Sequence, residues 1–205
     1  DMAGKQADKA ELQKLMGLRQ EPYVPIVGIV SRLVSHKGLD LVCEVLHDMM
    51  ELPLQMVILG KGDRKYEEFF QWAAQQYSGR MAVRLDYNEE LSMAIYAGAD
   101  LFLMPSKSEP CGLSQMIAMR YGTVPIVRET GGLKDTVKPY DKDHPDGWGF
   151  VFEDYTPEAL RGALGAVEPE VRAEAGIASV DGRPVAWLRV HEVDRRRRPA
   201  RVQGA

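Results

Sequence analysis

Cysteine is scarce. Cys43 and Cys111 are the only two in 205 residues, too few for a disulfide framework or a cysteine-rich zinc site. Long apolar runs are missing as well, so no segment has the length of a membrane-spanning helix. The first residues, DMAGKQADKAELQKLMGL, are charged and helix-like where a signal peptide would be apolar, and they read as a chain cut from something longer. Positive charge is not in excess: a net charge of −4 gives no general reason to expect nucleic acid or an anionic membrane as partner. These shortages leave a globular protein of a reducing, cytoplasm-like compartment, long enough for one good-sized domain.

What is present is alternation. From Pro25 onward, IVGIV (26–30) predicts a buried strand, and Leu41, Val42, Val45, Leu46, Met49 and Met50 then mark one face of a helix. LQMVILG (54–60) predicts a second strand, followed by a helix over 64–78 with Tyr66, Phe69, Phe70, Ala73, Ala74 and Tyr77 on one face. MAVRL (81–85), a helix over 88–97, DLFLM (100–104), a helix over 113–121 and TVPIV (123–127) continue the series. Strands without polar alternation, each separated by a helix, predict a parallel sheet covered on both faces: a doubly wound α/β domain. Ligands of such sheets bind beyond the C-terminal strand ends, so chemistry is expected in the strand-to-helix loops.

Composition shifts late in the chain. No lysine follows Lys142, and after about residue 165 Ala, Val, Gly and Arg crowd out aromatics, ending in DRRRRPARVQGA. The interleaved aromatics of a nucleic-acid-binding surface are not evident, so the run reads as a solvated tail. Three segments are expected: a lead-in over 1–24, the α/β domain over 25–165, and a poorly ordered arginine-rich tail over 166–205.

Five loops could carry chemistry. SRLVSHKGLD (31–40) places Arg32 and Lys37 beside a strand end; a forked guanidinium and a mobile ammonium suit a diphosphate, although the pair could also be plain surface charge. His36 beside them reads as an ordinary loop histidine. LGKGDRKYEE (59–68) looks like a dinucleotide fingerprint and fails, because Lys65 stands where Gly or Ala is required; Gly60 and Gly62 serve the turn and Asp63 is expected to cap the next helix. Tyr87, ahead of the helix cap Asn88, could stack on a base or sugar or simply pack. In PSKSEPCGLSQ (105–115), Glu109 precedes Gly112, Leu113 and Ser114, whose backbone N–H groups form the first turn of a helix and suit an anion. Cys111 lacks a recognisable histidine-and-acid pattern, which argues against a nucleophile. ETGGLKDTV (129–137) carries the pair Gly131 and Gly132 beside a strand end. A cationic loop, an aromatic, an acid with a helix start and a glycine pair on one sheet edge suit a sugar held through a diphosphate.

SRLVSHKG, SEPCGLSQMIAMRYGTVPIVRETGGLKDTV and GWGFVF, in this order and spacing, resemble the C-terminal domain of the ADP-glucose-using glycogen and starch synthases. The resemblance covers roughly residues 1 to 160, and the 109–137 block is its most specific part. It implies a Rossmann-like domain of the GT-B fold, whose active site lies between two such domains. It implies transfer of glucose from ADP-glucose to the 4-hydroxyl at the non-reducing end of an α-1,4-glucan, with retention of configuration. Carried over by position, Arg32 and Lys37 hold the diphosphate and stabilise the departing ADP, Tyr87 stacks on adenine, and Glu109 lies by the donor glucose. Gly112, Leu113 and Ser114 form the helix start under the phosphates, Cys111 is a packing or sugar-proximal residue, and Gly131 and Gly132 belong to the same donor site. No metal and no cofactor are implied, nor nucleic acid or membrane, and a bacterial cytoplasm fits better than a plastid.

Two departures accompany the resemblance. The family's N-terminal domain is absent, so the chain is expected to hold the donor half-site and to be inactive alone. The family's closing helix, with its Trp-Glu-Arg-Ser-like segment, has no counterpart after residue 165, and that stretch resembles translation in another reading frame. Aligning the coding nucleotides in three frames tests this, and a family match in none of them rejects it. Two other readings stay open: a related retaining glycosyltransferase with another nucleotide sugar, and a non-catalytic nucleotide-binding fragment.

Overall fold

Apolar runs of four or five residues bounded by turn residues cannot hide their backbone N–H and C=O groups except by pairing with one another. In the computed structural model, which describes residues 2–140, 147–172, 179–180 and 183–184, they do so as a parallel sheet. Its strands are β1 (Ile26–Val30), β2 (Gln55–Leu59), β3 (Met81–Arg84), β4 (Leu101–Met104), β5 (Val124–Arg128) and β6 (Phe150–Phe152). Their spatial order is β3-β2-β1-β4-β5-β6. The chain therefore reverses direction across the sheet between β1 and β4, where Val27 pairs with Leu101. A crevice opens at such a reversal, because the connections on its two sides leave to opposite faces.

Helices α1 (Met2–Met16), α2 (Leu39–Glu51), α3 (Arg64–Gln76), α4 (Glu89–Gly98), α5 (Ser114–Arg120), α6 (Gly131–Thr136) and α7 (Pro157–Arg172) cover the sheet. The face read from periodicity in α2 is the buried one, with Leu39 added to it. In α3, Tyr66, Phe70 and Ala73 are buried and Phe69, Ala74 and Tyr77 pack partly against the same core. α2, α3 and α7 share that core on one face, while α1 and α4 enclose a second with Ile26, Val57 and Leu59 on the other. Each fully buried side chain of this kind contributes about 1.5–3 kcal/mol.

Three details differ from the sequence expectation. ETGGLKDTV, a loop by its sequence, holds the short helix α6, begun by Gly131 at φ 46° and anchored by buried Leu133. Asp63 stands at the start of α3, but its side chain caps nothing; Glu67 reaches back to the Gly62 N–H at 2.8 Å instead. Asn88 does cap α4, accepting from the Leu91 N–H at 2.9 Å. α7 runs through residue 165, with Val167 in the core. Beyond it, β7 (Ser179–Val180) and β8 (Arg183–Pro184) form a two-stranded antiparallel pair. The arginine-rich ending from residue 185 lies outside the described residues.

The lead-in is a welded part of this fold. Lys5, Lys9, Leu12, Gln13 and Met16 form a buried stripe at helical spacing along α1. Gly98 lets α1 cross α4 closely: a side chain there would meet the Asp8 carbonyl at 2.7 Å. Lys9 Nζ lies 2.8 Å from Asp100 Oδ2, which also accepts the Ile26 N–H at 2.8 Å. Lys5 Nζ donates to Thr123 Oγ1 at 2.5 Å, and Gln13 donates to Gln55 Oε1 at 2.9 Å.

Candidate functional site

At the opposite, C-terminal edge of the strands, the reversal between β1 and β4 forms an open cleft of about 340 Å³. Its walls include Arg32 and Lys37 from the β1 loop, Glu109 from the β4 loop, and Gly112, Leu113 and Ser114 at the start of α5. Residues 72 positions apart are brought into contact there: Lys37 Nζ donates to Glu109 Oε2 at 2.5 Å. Ser106 donates its hydroxyl to the same oxygen at 3.2 Å. Glu109 is 8% exposed, so its charge sits where water screens it weakly. Arg32 is exposed, its Nη2 lying 3.5 Å from His36 Nε2.

The loops meet because backbone approaches backbone. Gly38, at φ 74°, ends the turn that presents Lys37, and a side chain on it would lie 1.9 Å from the Pro105 carbonyl oxygen. The His36 carbonyl accepts the Lys107 N–H at 2.9 Å, tying the β1 loop to the β4 loop. On the other flank, Gly132 donates its N–H to the Glu109 carbonyl at 3.0 Å, and a side chain on it would lie 1.9 Å from the Cys111 carbonyl oxygen. Gly131 and Gly132 thus lie behind the 109–111 loop and brace it. Gln115 closes the brace, donating to the Gly112 carbonyl at 2.9 Å and to Thr136 Oγ1 at 3.0 Å.

Of the residues singled out by sequence, Arg32, Lys37, Glu109, Gly112, Leu113 and Ser114 line this one cleft. Cys111 is exposed and outside the lining. Tyr87 also lies outside it, 92% exposed on the loop after β3. It is close enough to Tyr96 to add to the burial that pushes the Tyr96 phenol pKa up. Tyr96 therefore stays a neutral donor, and it donates to Ser114 Oγ at 3.1 Å. Because α5 is only seven residues long, its contribution is the N–H groups of its first turn more than a long dipole. Ser106, Tyr96 and Gln115 escape the sequence reading. Ser106 alone carries a signal, a hydroxyl directly after a strand end in PSKSEP.

Residues 17–169 match the family described as Glycosyl transferases group 1. A glycogen synthase of Caldicellulosiruptor saccharolyticus is 51% identical over 156 residues, covering 76% of this chain and 33% of that protein. One of Desulfitobacterium hafniense is 51% identical over 163 residues, covering 80% of this chain and 35% of that protein. The chain spans about a third of the length of these curated relatives. Among solved structures, the catalytic domain of Starch Synthase IV from Arabidopsis thaliana bound to ADP and acarbose is similar at TM-score 0.78 and 34% identity. The likeness covers 96% of this chain and 43% of that one. Anabaena HepE in complex with UDP and glucose shares the fold, at TM-score 0.62 and 17% identity over 93% of this chain and 48% of that one.

Proposed function

The chain belongs to the glycosyl transferases group 1, and we propose that it is the donor-binding part of a glycogen or starch synthase. In this reading the whole protein transfers glucose from ADP-glucose to the non-reducing end of an α-1,4-glucan with retention, in a bacterial cytoplasm. This chain supplies the half of the site that holds the nucleotide sugar, and the glucan acceptor needs the rest of the protein.

The observation that carries the reading is the Lys37–Glu109 contact in the cleft at the strand reversal. The bond to be broken joins glucose to a diphosphate, so negative charge grows on the leaving group and positive charge on the sugar carbon. An ammonium has three donors. One is placed on Glu109, and the others serve phosphate oxygens without breaking that contact. Lys37 therefore stands between the two ends of the ligand: Arg32 and the N–H groups around Gly112, Leu113 and Ser114 take the diphosphate, while Glu109 faces the glucose. Preorganised charges of this kind are each worth roughly 10²–10³ in rate. The exposed ring of Tyr87 offers a face for adenine, Cys111 is a packing or sugar-proximal residue of the loop beside the cleft, and Gly131 and Gly132 hold the loop that carries Glu109.

Calorimetric titration of the chain with ADP, ADP-glucose and UDP-glucose tests this. Binding of ADP and ADP-glucose, weakened by Lys37→Ala and stronger than UDP-glucose, is expected. Failure of the chain to bind any of the three overturns the donor-site reading, and preference for UDP-glucose moves it to another donor.

A further inference from the structure

Arg128 ends β5, and its guanidinium spreads over the C-terminal ends of the strands on both sides. Nε donates to the Glu153 carbonyl at 3.0 Å beyond β6. Nη1 donates to the Lys107 carbonyl at 3.0 Å and the Ser106 carbonyl at 3.4 Å beyond β4. Ser106 is the residue whose hydroxyl holds Glu109 Oε2. The guanidinium carbon also lies 5.5 Å from the centre of the Tyr155 ring, and Lys107 Nζ lies 5.5 Å from the same ring. Tyr155 in turn donates its hydroxyl to Asp40 Oδ1 at 2.5 Å. Asp40 is in the first turn of α2, three positions after Lys37.

One aromatic ring is thus tied to both halves of the Lys37–Glu109 pair. Through Asp40 it holds the helix that follows Lys37. Through Arg128 and Lys107 it holds the loop that precedes Glu109. The phenol given to a carboxylate makes the ring a better partner for two cations. Burial and the neighbouring Asp40 carboxylate push its pKa upward, so the hydroxyl keeps its proton and the link persists.

We propose that Arg128 and Tyr155 are positioning residues that set the separation of Lys37 and Glu109; that this separation serves a nucleotide sugar rests on the reading given above. Neither residue lines the cleft, so both act through others. A planar fork that reaches carbonyls beyond two different strands at once is a role that the compact ammonium of lysine fills only in part.

The test uses Arg128→Ala, Arg128→Lys and Tyr155→Phe in this chain, with folding checked by thermal melts. The first readout is the ¹⁵N resonance of the Lys37 ammonium, which stays visible only while its protons exchange slowly in the ion pair. The second is ADP affinity by calorimetry. The expected result is loss of the Lys37 resonance in Arg128→Ala with ADP affinity down about tenfold, below the hundredfold that a 1 Å misplacement of a reacting group costs. Arg128→Lys is expected to recover only part of either. A folded Arg128→Ala chain with the resonance and affinity of the parent overturns the proposal. If Arg128→Ala does not fold, Tyr155→Phe decides: an unchanged Lys37 resonance there overturns it, and a broadened one supports it. If the parent chain binds no ADP, the donor-site reading fails, while the Lys37 resonance still decides the positioning role.

Discussion

The two ends of the sheet each carry a lysine–carboxylate pair, and the pairs are built differently. At the base, Lys9 and Asp100 lie 2.8 Å apart with side chains only 7% and 8% exposed. At the cleft, Lys37 and Glu109 lie 2.5 Å apart with side chains 19% and 10% exposed. Distance does not separate them, and burial separates them only modestly. Surroundings do. Asp100 also takes the first N–H of β1, beneath a helix and beside Thr123, so its charge is consumed by the fold. Glu109 and Lys37 instead border open space with Arg32 beside them. The same chemistry is structural where the carboxylate is enclosed between a helix and the first N–H of a strand, and available for a ligand where a wall is missing.

The largest expected effect breaks the base. Asp100→Ala leaves Lys9 buried without its counter-charge and the Ile26 N–H without its acceptor, which should cost about 3–5 kcal/mol in urea unfolding. At a temperature where the variant remains folded, its ADP affinity should match the parent's.

The reverse holds at the cleft. Lys37→Ala in the complete protein should lower turnover roughly 10²–10³-fold. Its unfolding free energy should fall by about 1–3 kcal/mol, less than for Asp100→Ala, because Glu109 keeps the Ser106 hydroxyl and borders open space. Near-normal turnover for this variant would erase the contrast between the two pairs.

A third effect depends on pH. Burial, opposed by the Asp100 and Asp8 charges, lowers the Lys5 pKa from 10.5 to about 8. Between these values the unfolded chain binds more protons than the folded one, so the contribution of Lys5 to stability rises with pH from about 8 to 10.5. The gain over that window should be about 2–3 kcal/mol. It is measured as the difference between the parent and Lys5→Met, whose unfolding should lack this component. A parent curve that falls relative to Lys5→Met across the window would reverse the sign.

The smallest effect is a control on the helix that joins the two ends. Asn88→Ala removes the cap of α4, after β3 and outside the cleft lining, and should cost about 1 kcal/mol by urea unfolding. ADP affinity and the pH dependence due to Lys5 should both stay as in the parent.

Much of the fold was legible because its signals are local. Uninterrupted runs such as IVGIV and QMVIL have no polar face to expose, and the stripe Leu41-Val42-Val45-Leu46-Met49-Met50 repeats at the helical period. α6 and β6 leave no such signal, because six and three residues are too short to establish a period. Asp63 has the residue type and place of a cap, but whether its side chain turns to the helix N–H groups is a matter of rotamer that residue type leaves open. α1 reads as a charged lead-in, since nothing local tells a lysine that will be buried against a distant carboxylate from a solvated one.

Local pattern is enough for the α/β alternation and for the loops that carry Arg32, Lys37 and Glu109. Both follow from residue type and spacing within a few turns of chain. The folded chain is needed to bring Lys37 to Glu109, Lys9 to Asp100, Arg128 to the Lys107 carbonyl and Tyr155 to Asp40. Those contacts depend on β1 lying beside β4 and on glycine backbones passing at contact distance. Strand order is settled by which faces pack together, a property of the whole chain that no local pattern encodes.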